Sequence, residues 1–283
     1  MRRITRTEPT MTSTPPSSRK VALITGVSSG IGLAAARTLA QAGFRVFGTS
    51  RRAIAGNVSD DIEMLALDVT DDASVERAVR AVLDQAGRID LLINNAGIGI
   101  GGAAEESSVA QAQALFDTNV FGTMRVTRAV LPHMRRQKSG RIVNISSVLG
   151  FLPAPYMAIY AASKHAVEGY SESLDHEMRT LGIRVVLVQP AYTATDFDKN
   201  ALGPDQPLPV YDAARAHLAM ITKAVFATAD QPQVVADVVL TAATQPQPKL
   251  RYPAGPLARK LALLRRFVPA SLFDKSLRKE MRL

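Results

Sequence analysis

At 283 residues, with 47% apolar side chains and a mean hydropathy of +0.05, the chain reads as a soluble globular protein of one large domain, and no run approaches the ~20 apolar residues needed to span a bilayer. Cysteine is absent, which excludes disulfides and thiolate catalysis, and His133, His165, His176 and His217 share no metal-ligand spacing, so no metal is expected. The net charge of +9 sits in the tails: residues 1–20 carry five basic and one acidic side chains and residues 249–283 carry ten and two, whereas the stretch between them is mildly acidic, which argues against a core that binds nucleic acid.

The N-terminus has Arg2, Arg3 and Arg6 but no apolar segment behind them, so it is not a secretory signal and a cytoplasmic location is expected. Residues 1–19, rich in Ser, Thr, Pro and Arg, have the composition of a disordered basic tail. Order begins with the apolar run Val21 to Ile24, which ends in Thr25-Gly26-Val27-Ser28-Ser29-Gly30-Ile31-Gly32 and passes into a helical pattern from Leu33 to Ala42, stopped by Gly43. Strand, glycine turn and helix suit a pyrophosphate, because glycines let the backbone approach and a helix N-terminus offers free amides. The same turn also serves plain strand-to-helix packing, and its G-x-x-x-G-x-G spacing departs from the G-x-G-x-x-G fingerprint.

A second strand, Arg45 to Thr49, ends at Ser50-Arg51-Arg52. Where this strand meets an adenosine ribose, an acid would accept from the 2′-hydroxyl and an arginine suits a 2′-phosphate, so NADP is favoured over NAD. A third strand, Met64 to Val69, carries Asp68, placed either to reach an adenine edge or to cap the helix starting near Ser74. A fourth, Asp90 to Ile93, runs into Asn94-Asn95-Ala96-Gly97 and the glycine-rich Ile98 to Gly102, a tight turn whose side chains stabilise the sheet edge beside a cofactor. The long helical stretch from about Val109 to Met134 has Asn119 in its middle; a mediocre helix former there is either a buried hydrogen-bonding post or a solvent-facing side chain.

The fifth strand, Arg141 to Ile145, delivers Ser146 and Ser147 to its C-terminal end, where open α/β sheets place ligands. The next helix carries Tyr160 and Lys164, four apart and therefore on one face, able to act on one bound molecule. A sixth strand, Arg184 to Val188, ends at Gln189-Pro190-Ala191. The irregular stretch Tyr192 to Tyr211, with scattered apolar residues, reads as a lid over an apolar substrate. A helix near Gln233 to Ala243 and a strand near Lys249 to Tyr252 finish an α/β, doubly wound parallel sheet of about seven strands with helices on both faces. In the tail, Leu257, Leu261, Leu264 and Val268 fall on one helical face among basic residues, to pack on the domain, pair with another subunit or lie on an anionic membrane surface.

In order along the chain, TGVSSGIG at 25–32, NNAG at 94–97, Asn119, Ser147 and YAASK at 160–164 resemble the short-chain dehydrogenase/reductase family in its compact single-domain form, over roughly residues 20–255. The resemblance implies a Rossmann fold that moves a hydride between a nicotinamide and an alcohol or carbonyl. It implies Tyr160 as general acid/base, Lys164 binding the nicotinamide ribose and lowering the tyrosine pKa, Ser147 holding the carbonyl and Asn119 supporting a proton-relay water. The cofactor-binding positions it implies are Gly26, Ser28, Ser29, Gly30, Ile31, Gly32, Arg51, Asp68, Val69, Asn95, Ala96, Gly97, Tyr160, Lys164, Pro190 and Thr195. Ala191 stands where the family usually has glycine, so the backbone there is expected to sit differently. The lid and tail are similar to those of steroid- and retinoid-handling members. The expected protein is an NADP(H)-dependent oxidoreductase of a lipophilic alcohol or carbonyl, a homo-oligomer pairing through its two long helices, with residues 1–19 a tail, 20–255 the oxidoreductase domain and 256–283 an amphipathic extension. The rival is a catalytically silent NADP-binding sensor or scaffold.

Overall fold

The computed structural model describes residues 19–52, 62–197 and 200–281; apart from Arg19, the expected disordered tail lies outside them. Seven strands, β1 (Val21–Thr25), β2 (Arg45–Ser50), β3 (Ile62–Ala66), β4 (Leu91–Asn94), β5 (Gly140–Ile145), β6 (Ile183–Pro190) and β7 (Arg251–Ala254), form one sheet in the order β3-β2-β1-β4-β5-β6-β7. Every pairing is parallel.

Strands of a parallel sheet are covered on both faces, so their side chains alternate between two cores. Ala22, Ile24, Val46, Ile93, Val143 and Val186 pack against α1 (Gly30–Gln41) and α7 (Pro232–Thr244) through Ala35, Leu39, Val235 and Val239. Val21, Leu23, Phe47, Leu92, Ile142 and Val185 face α2 (Asp72–Ala86), α4 (Gly122–Gln137) and α5 (Ala158–Met178) through Val75, Val79, Val126, Val130 and Leu174. The strand order reverses between β1 and β4, so the connections leaving their C-terminal ends run to opposite faces of the sheet and leave a crevice where such sheets bind ligands.

Several expectations change. The long helical stretch is α3 (Val109–Phe116) joined to α4 by a single π-helical turn, Asp117–Phe121, with Asn119 at its centre. A helix absent from the sequence reading, α6 (Asp212–Phe226), follows the irregular stretch. The helix after β3 is capped by Asp71, whose carboxylate accepts from Ala73 N at 2.9 Å, not by Asp68, which instead accepts from Thr70 N at 2.9 Å and from its hydroxyl at 2.7 Å. The tail is two helices, α8 (Pro256–Phe267) and α9 (Ala270–Met281), because Pro269 holds Val268 in extended backbone at ψ 130°. Of the expected apolar face, Leu261 packs inward beside Ala258, while Leu257 and Leu264 are exposed.

Candidate active site

The glycine turn is shaped for close backbone approach. Gly26 and Gly30 have φ of 72° and 59°, the left-handed region that favours glycine. A Cβ on Gly32 would lie 2.2 Å from the Gly26 carbonyl oxygen and 2.4 Å from Asn95 Nδ2, so only a glycine lets α1 start this near β4. Asn95 holds the turn from the far strand: its Nδ2 donates to the carbonyls of Thr25 and Gly26 at 3.0 and 2.8 Å, and the amides of Asn95 and Ala96 donate to Thr25 Oγ1 at 3.0 and 3.1 Å. The Asn-Asn-Ala-Gly segment therefore clamps the glycine turn more than it stabilises a sheet edge. Ser28 and Ser29 are exposed, and Ser29 precedes α1 without capping it by its side chain, which leaves first-turn amides aimed outward. Thr195 stands over this turn, its methyl 3.0 Å from where a Gly30 Cβ would be. A cradle lined by backbone amides and closed to side chains fits the pyrophosphate of a dinucleotide.

Farther along the crevice Arg51 is exposed, and its charge helps hold the Asp68 carboxyl below the usual range, after the hydrogen bond from the Thr70 amide. Val69 is buried against Gly122, and its carbonyl accepts from Arg125 at 3.3 Å, so its side chain belongs to the core. Pro190 ends β6 opposite Ala254, and Ala191 next to it packs with Val148, Leu152 and Ala258. Ala191 is not among the described residues with positive φ, so the alanine is accommodated without strain.

At the other end of the crevice, α5 brings Tyr160 and Lys164 to the C-terminal end of β5. Both are nearly buried, at 8% and 7% exposure. Ser147, the first residue beyond Ser146 at the strand end, lies beside the Tyr160 phenol and accepts from Leu149 N at 3.1 Å, which orients its hydroxyl. Lys164 Nζ donates to the Ile145 carbonyl at 3.0 Å and lies 5.7 Å from the centre of the Tyr160 ring. Burial pushes the Tyr160 phenol above its usual range, and the Ser147 hydroxyl beside it pulls the other way. Burial also pulls Lys164 down to about 8, opposed by the carboxylate of Glu168.

Asn119 is the buried post. Its Oδ1 accepts from Ile98 N at 2.9 Å, and its Nδ2 donates to the Ile98 carbonyl at 2.9 Å and to Ser163 Oγ at 3.3 Å. The π turn leaves its own carbonyl to the Thr123 hydroxyl at 2.9 Å. Asn119 thus ties the β4 loop to the helix that carries Tyr160.

Two groups were missed in the sequence. Glu168, 5% exposed, lies one turn beyond Lys164; it accepts from Gln189 Nε2 at 2.9 Å and pairs with Arg251 Nε at 2.8 Å, and Arg251 reaches on to Glu172 at 2.8 Å. The Lys-x-x-x-Glu spacing was the available signal. The second group stitches the lid to the β4 loop. Leu202 exchanges backbone bonds with Gly99 and Gly101 at 2.9 and 3.1 Å, Asp205 accepts from Ser108 N at 2.7 Å, and buried Glu106 accepts from Leu208 N at 2.9 Å and pairs with Arg215 of α6. Phe197 of the lid sits 5.9 Å from Tyr160, ring centre to ring centre, over Gly99, where a Cβ would lie 3.0 Å from its ring. The glycines of 98–102 make seats for lid side chains, a use the reading of a tight turn did not contain.

A Rossmann sheet with a glycine cradle at one end of its crevice and a buried Ser-Tyr-Lys group at the other defines the class of nicotinamide-dependent oxidoreductases. The short chain dehydrogenase profile matches residues 20–206. The chain is 38% identical to an uncharacterised oxidoreductase, YusZ, of Bacillus subtilis over 279 residues, covering 93% of this chain and 99% of that protein. It is 37% identical to mouse 17-beta-hydroxysteroid dehydrogenase type 1 over 251 residues, 82% of this chain and 72% of the other. A crystal structure of a short-chain dehydrogenase from Streptomyces avermitilis superposes with a TM-score of 0.77 at 34% identity, covering 94% and 95% of the two chains. The chain belongs to the short-chain dehydrogenase/reductase family. Solved relatives include one from Burkholderia phymatum in complex with NAD (30% identity, TM-score 0.71, 82% of this chain and 88% of that one) and a serine dehydrogenase complexed with NADP+ (27%, 0.72, 84% and 95%).

Proposed function

We propose that the protein is an NADP(H)-dependent oxidoreductase that interconverts an apolar alcohol and its ketone, with Tyr160 as general acid/base. The observation that carries it is the buried Tyr160 phenol beside the Ser147 hydroxyl, with Lys164 held one helical turn away on the Ile145 carbonyl. The nicotinamide supplies or accepts the hydride. In the reducing direction the Ser147 hydroxyl donates to the carbonyl oxygen where negative charge develops, and the Tyr160 phenol gives its proton to that oxygen. In the oxidising direction the phenolate takes the alcohol proton, and the Lys164 ammonium favours that anion. The glycine cradle from Gly26 to Gly32, with Asn95, Ala96 and Gly97 behind it and Thr195 above, holds the pyrophosphate end and the carboxamide side of the cofactor. Asn119 positions the loop and helix that meet at the reacting atoms.

Preference for NADP rests on Arg51 and Arg52 beyond β2, with no acid there to accept from a ribose 2′-hydroxyl. The apolar substrate rests on the surroundings of Tyr160, where Ile98, Ile100, Leu149 and Met157 pack together and Phe197 covers the ring, and on kinship with a protein named for a steroid substrate. Residues 20–255 are the oxidoreductase unit, 192–211 its lid and 256–283 an extension. Exposed Val109 and Phe121 on the long helical stretch support pairing between copies of a cytoplasmic enzyme, testable by light scattering.

The test is NADPH oxidation with a panel of steroids, retinoids and other apolar carbonyls. Tyr160→Phe is expected to lower kcat about 10²–10⁴-fold while NADPH binding persists. Turnover of none of the panel by wild type that binds NADPH would leave a sensor or scaffold instead. Arg51→Ala is expected to weaken NADPH selectively against NADH; equal loss for both cofactors sinks the 2′-phosphate role.

A further inference from the structure

Helix α8 has two apolar faces, and only one of them is covered. Its inner face places Ala258, fully buried, and Leu261 in a cluster with Val148, Leu152 and, from α9, Phe273. Opposite Ala258, within an arc of roughly 120° at 3.6 residues per turn, stand Leu257, Leu263, Leu264 and Phe267. These are 39%, 60%, 37% and 71% exposed. A surface helix buries one stripe and shows polar residues elsewhere, so a second apolar stripe implies a second apolar neighbour. Lys260 lies within this stripe and Arg259 and Arg266 flank it, all exposed. The tail from 256 to 283 carries eight basic side chains and two acidic ones.

We propose that the outer face of α8 docks on an anionic lipid membrane, with the helix lying in the plane of the headgroups. Phe267, Leu263, Leu264 and Leu257 then enter the acyl boundary, and Arg259, Lys260 and Arg266 meet lipid phosphates. Charge complementarity selects this occupant over a second copy of the chain, because self-pairing across a two-fold axis would set the same cations against one another. Nucleic acid would satisfy the cations but not a stripe of leucines and a phenylalanine. The inner face of α8 covers Val148 and Leu152, and Arg265 donates to the Phe151 carbonyl at 3.3 Å, within a few residues of Ser147. Docking thus brings the reacting groups to about one helix diameter, ~10 Å, from the lipid. Delivery of an apolar substrate from the bilayer rests on the proposed function; the docking itself does not.

The full chain is sedimented with vesicles of phosphatidylcholine alone and of phosphatidylcholine with 30% phosphatidylglycerol. Binding is expected to the anionic vesicles and to be much weaker to the neutral ones. Leu263→Ser with Phe267→Ser should cut partitioning at least tenfold, since each side chain loses most of its apolar burial. Charge removal at Arg259, Lys260 and Arg266 by Gln should cut it about fivefold per residue. All five residues are exposed, so the variants are expected to keep the wild-type circular dichroism spectrum. Equal binding to both vesicle types, or none to either, overturns the proposal. So does an oligomer that falls apart on Leu263→Ser with Phe267→Ser while wild type ignores vesicles, which would make the face a contact between copies.

Discussion

Tyr160 and Lys164 are held almost out of water, and burial sets their ionisation before any partner does. It moves Lys164 down to about 8, against a neighbouring carboxylate that moves it up. Glu168 is therefore more than a packing residue: its charge, fixed by Arg251 and Gln189, keeps the ammonium protonated near neutral pH. The sign is definite. As pH rises through about 8, Lys164 loses its proton and the charge that favours a phenolate, so turnover should decline on the alkaline side. Glu168→Gln removes the opposing negative charge, lowers that ionisation further and should shift the alkaline limb of the pH–rate profile to lower pH. A purely structural loss would lower the rate without moving the limb. Ser147, Tyr160 and Lys164 could be singled out in sequence because they sit at fixed spacings within one helix and at one strand end. Glu168 could not, since its partners Gln189 and Arg251 lie 21 and 83 positions away.

At the scale of elements, the strands could be read from their apolar runs, since a parallel sheet buries both faces of each strand. Helix α6 was missed: half-buried Ala214, Leu218, Ile221 and Val225 recur at helical spacing, but exposed Ala213, Ala216, Ala219, Met220 and Ala224 are apolar too and blur the stripe. The π turn was visible only as an awkward Asn119, and the two-helix tail only as Pro269. The ties between lid and β4 loop left no local trace, because Glu106 meets Leu208 and Ser108 meets Asp205 across about a hundred residues. Glu106 is the group on which these ties converge, fully buried with its charge met by Arg215. Glu106→Gln leaves the Arg215 guanidinium only exposed Asp212 as an anion and should loosen the lid: faster limited proteolysis within residues 200–211, and a higher KM with a smaller change in kcat. Arg215→Met with Glu106→Gln should recover part of that loss; unchanged proteolysis in the single variant would show that the backbone bonds alone hold the lid.

At the scale of the whole molecule, a third buried carboxylate joins helix to sheet. Asp175, fully buried on α5, accepts from Val185 N at 2.9 Å and pairs with Arg184 at 2.9 Å and Arg179 at 2.6 Å, which fastens the start of β6 to the helix that carries Tyr160. Burial disfavours its charge, but the hydrogen bonds from Arg184, Val185 and Arg179 prevail and hold its carboxyl below the usual range. The stability it contributes is present above the ordinary carboxylate range and is lost as pH falls through the lowered value. Asp175→Asn should cost about 3 kcal/mol at pH 7, seen as a Tm lower by about 6–12 °C, with the gap to wild type closing in acid. Wild-type and variant melts that run parallel down to pH 3 would count against it. The lid seated on Gly99, Gly101 and Gly102 has a different kind of consequence. The two segments fit each other as a matched pair, so substrate range is expected to move only when both are exchanged. A lid transplanted from a relative arrives without its seat unless residues 99–111 travel with it, so chimeras that exchange both segments should accept the donor's substrates and chimeras that exchange one should accept neither set.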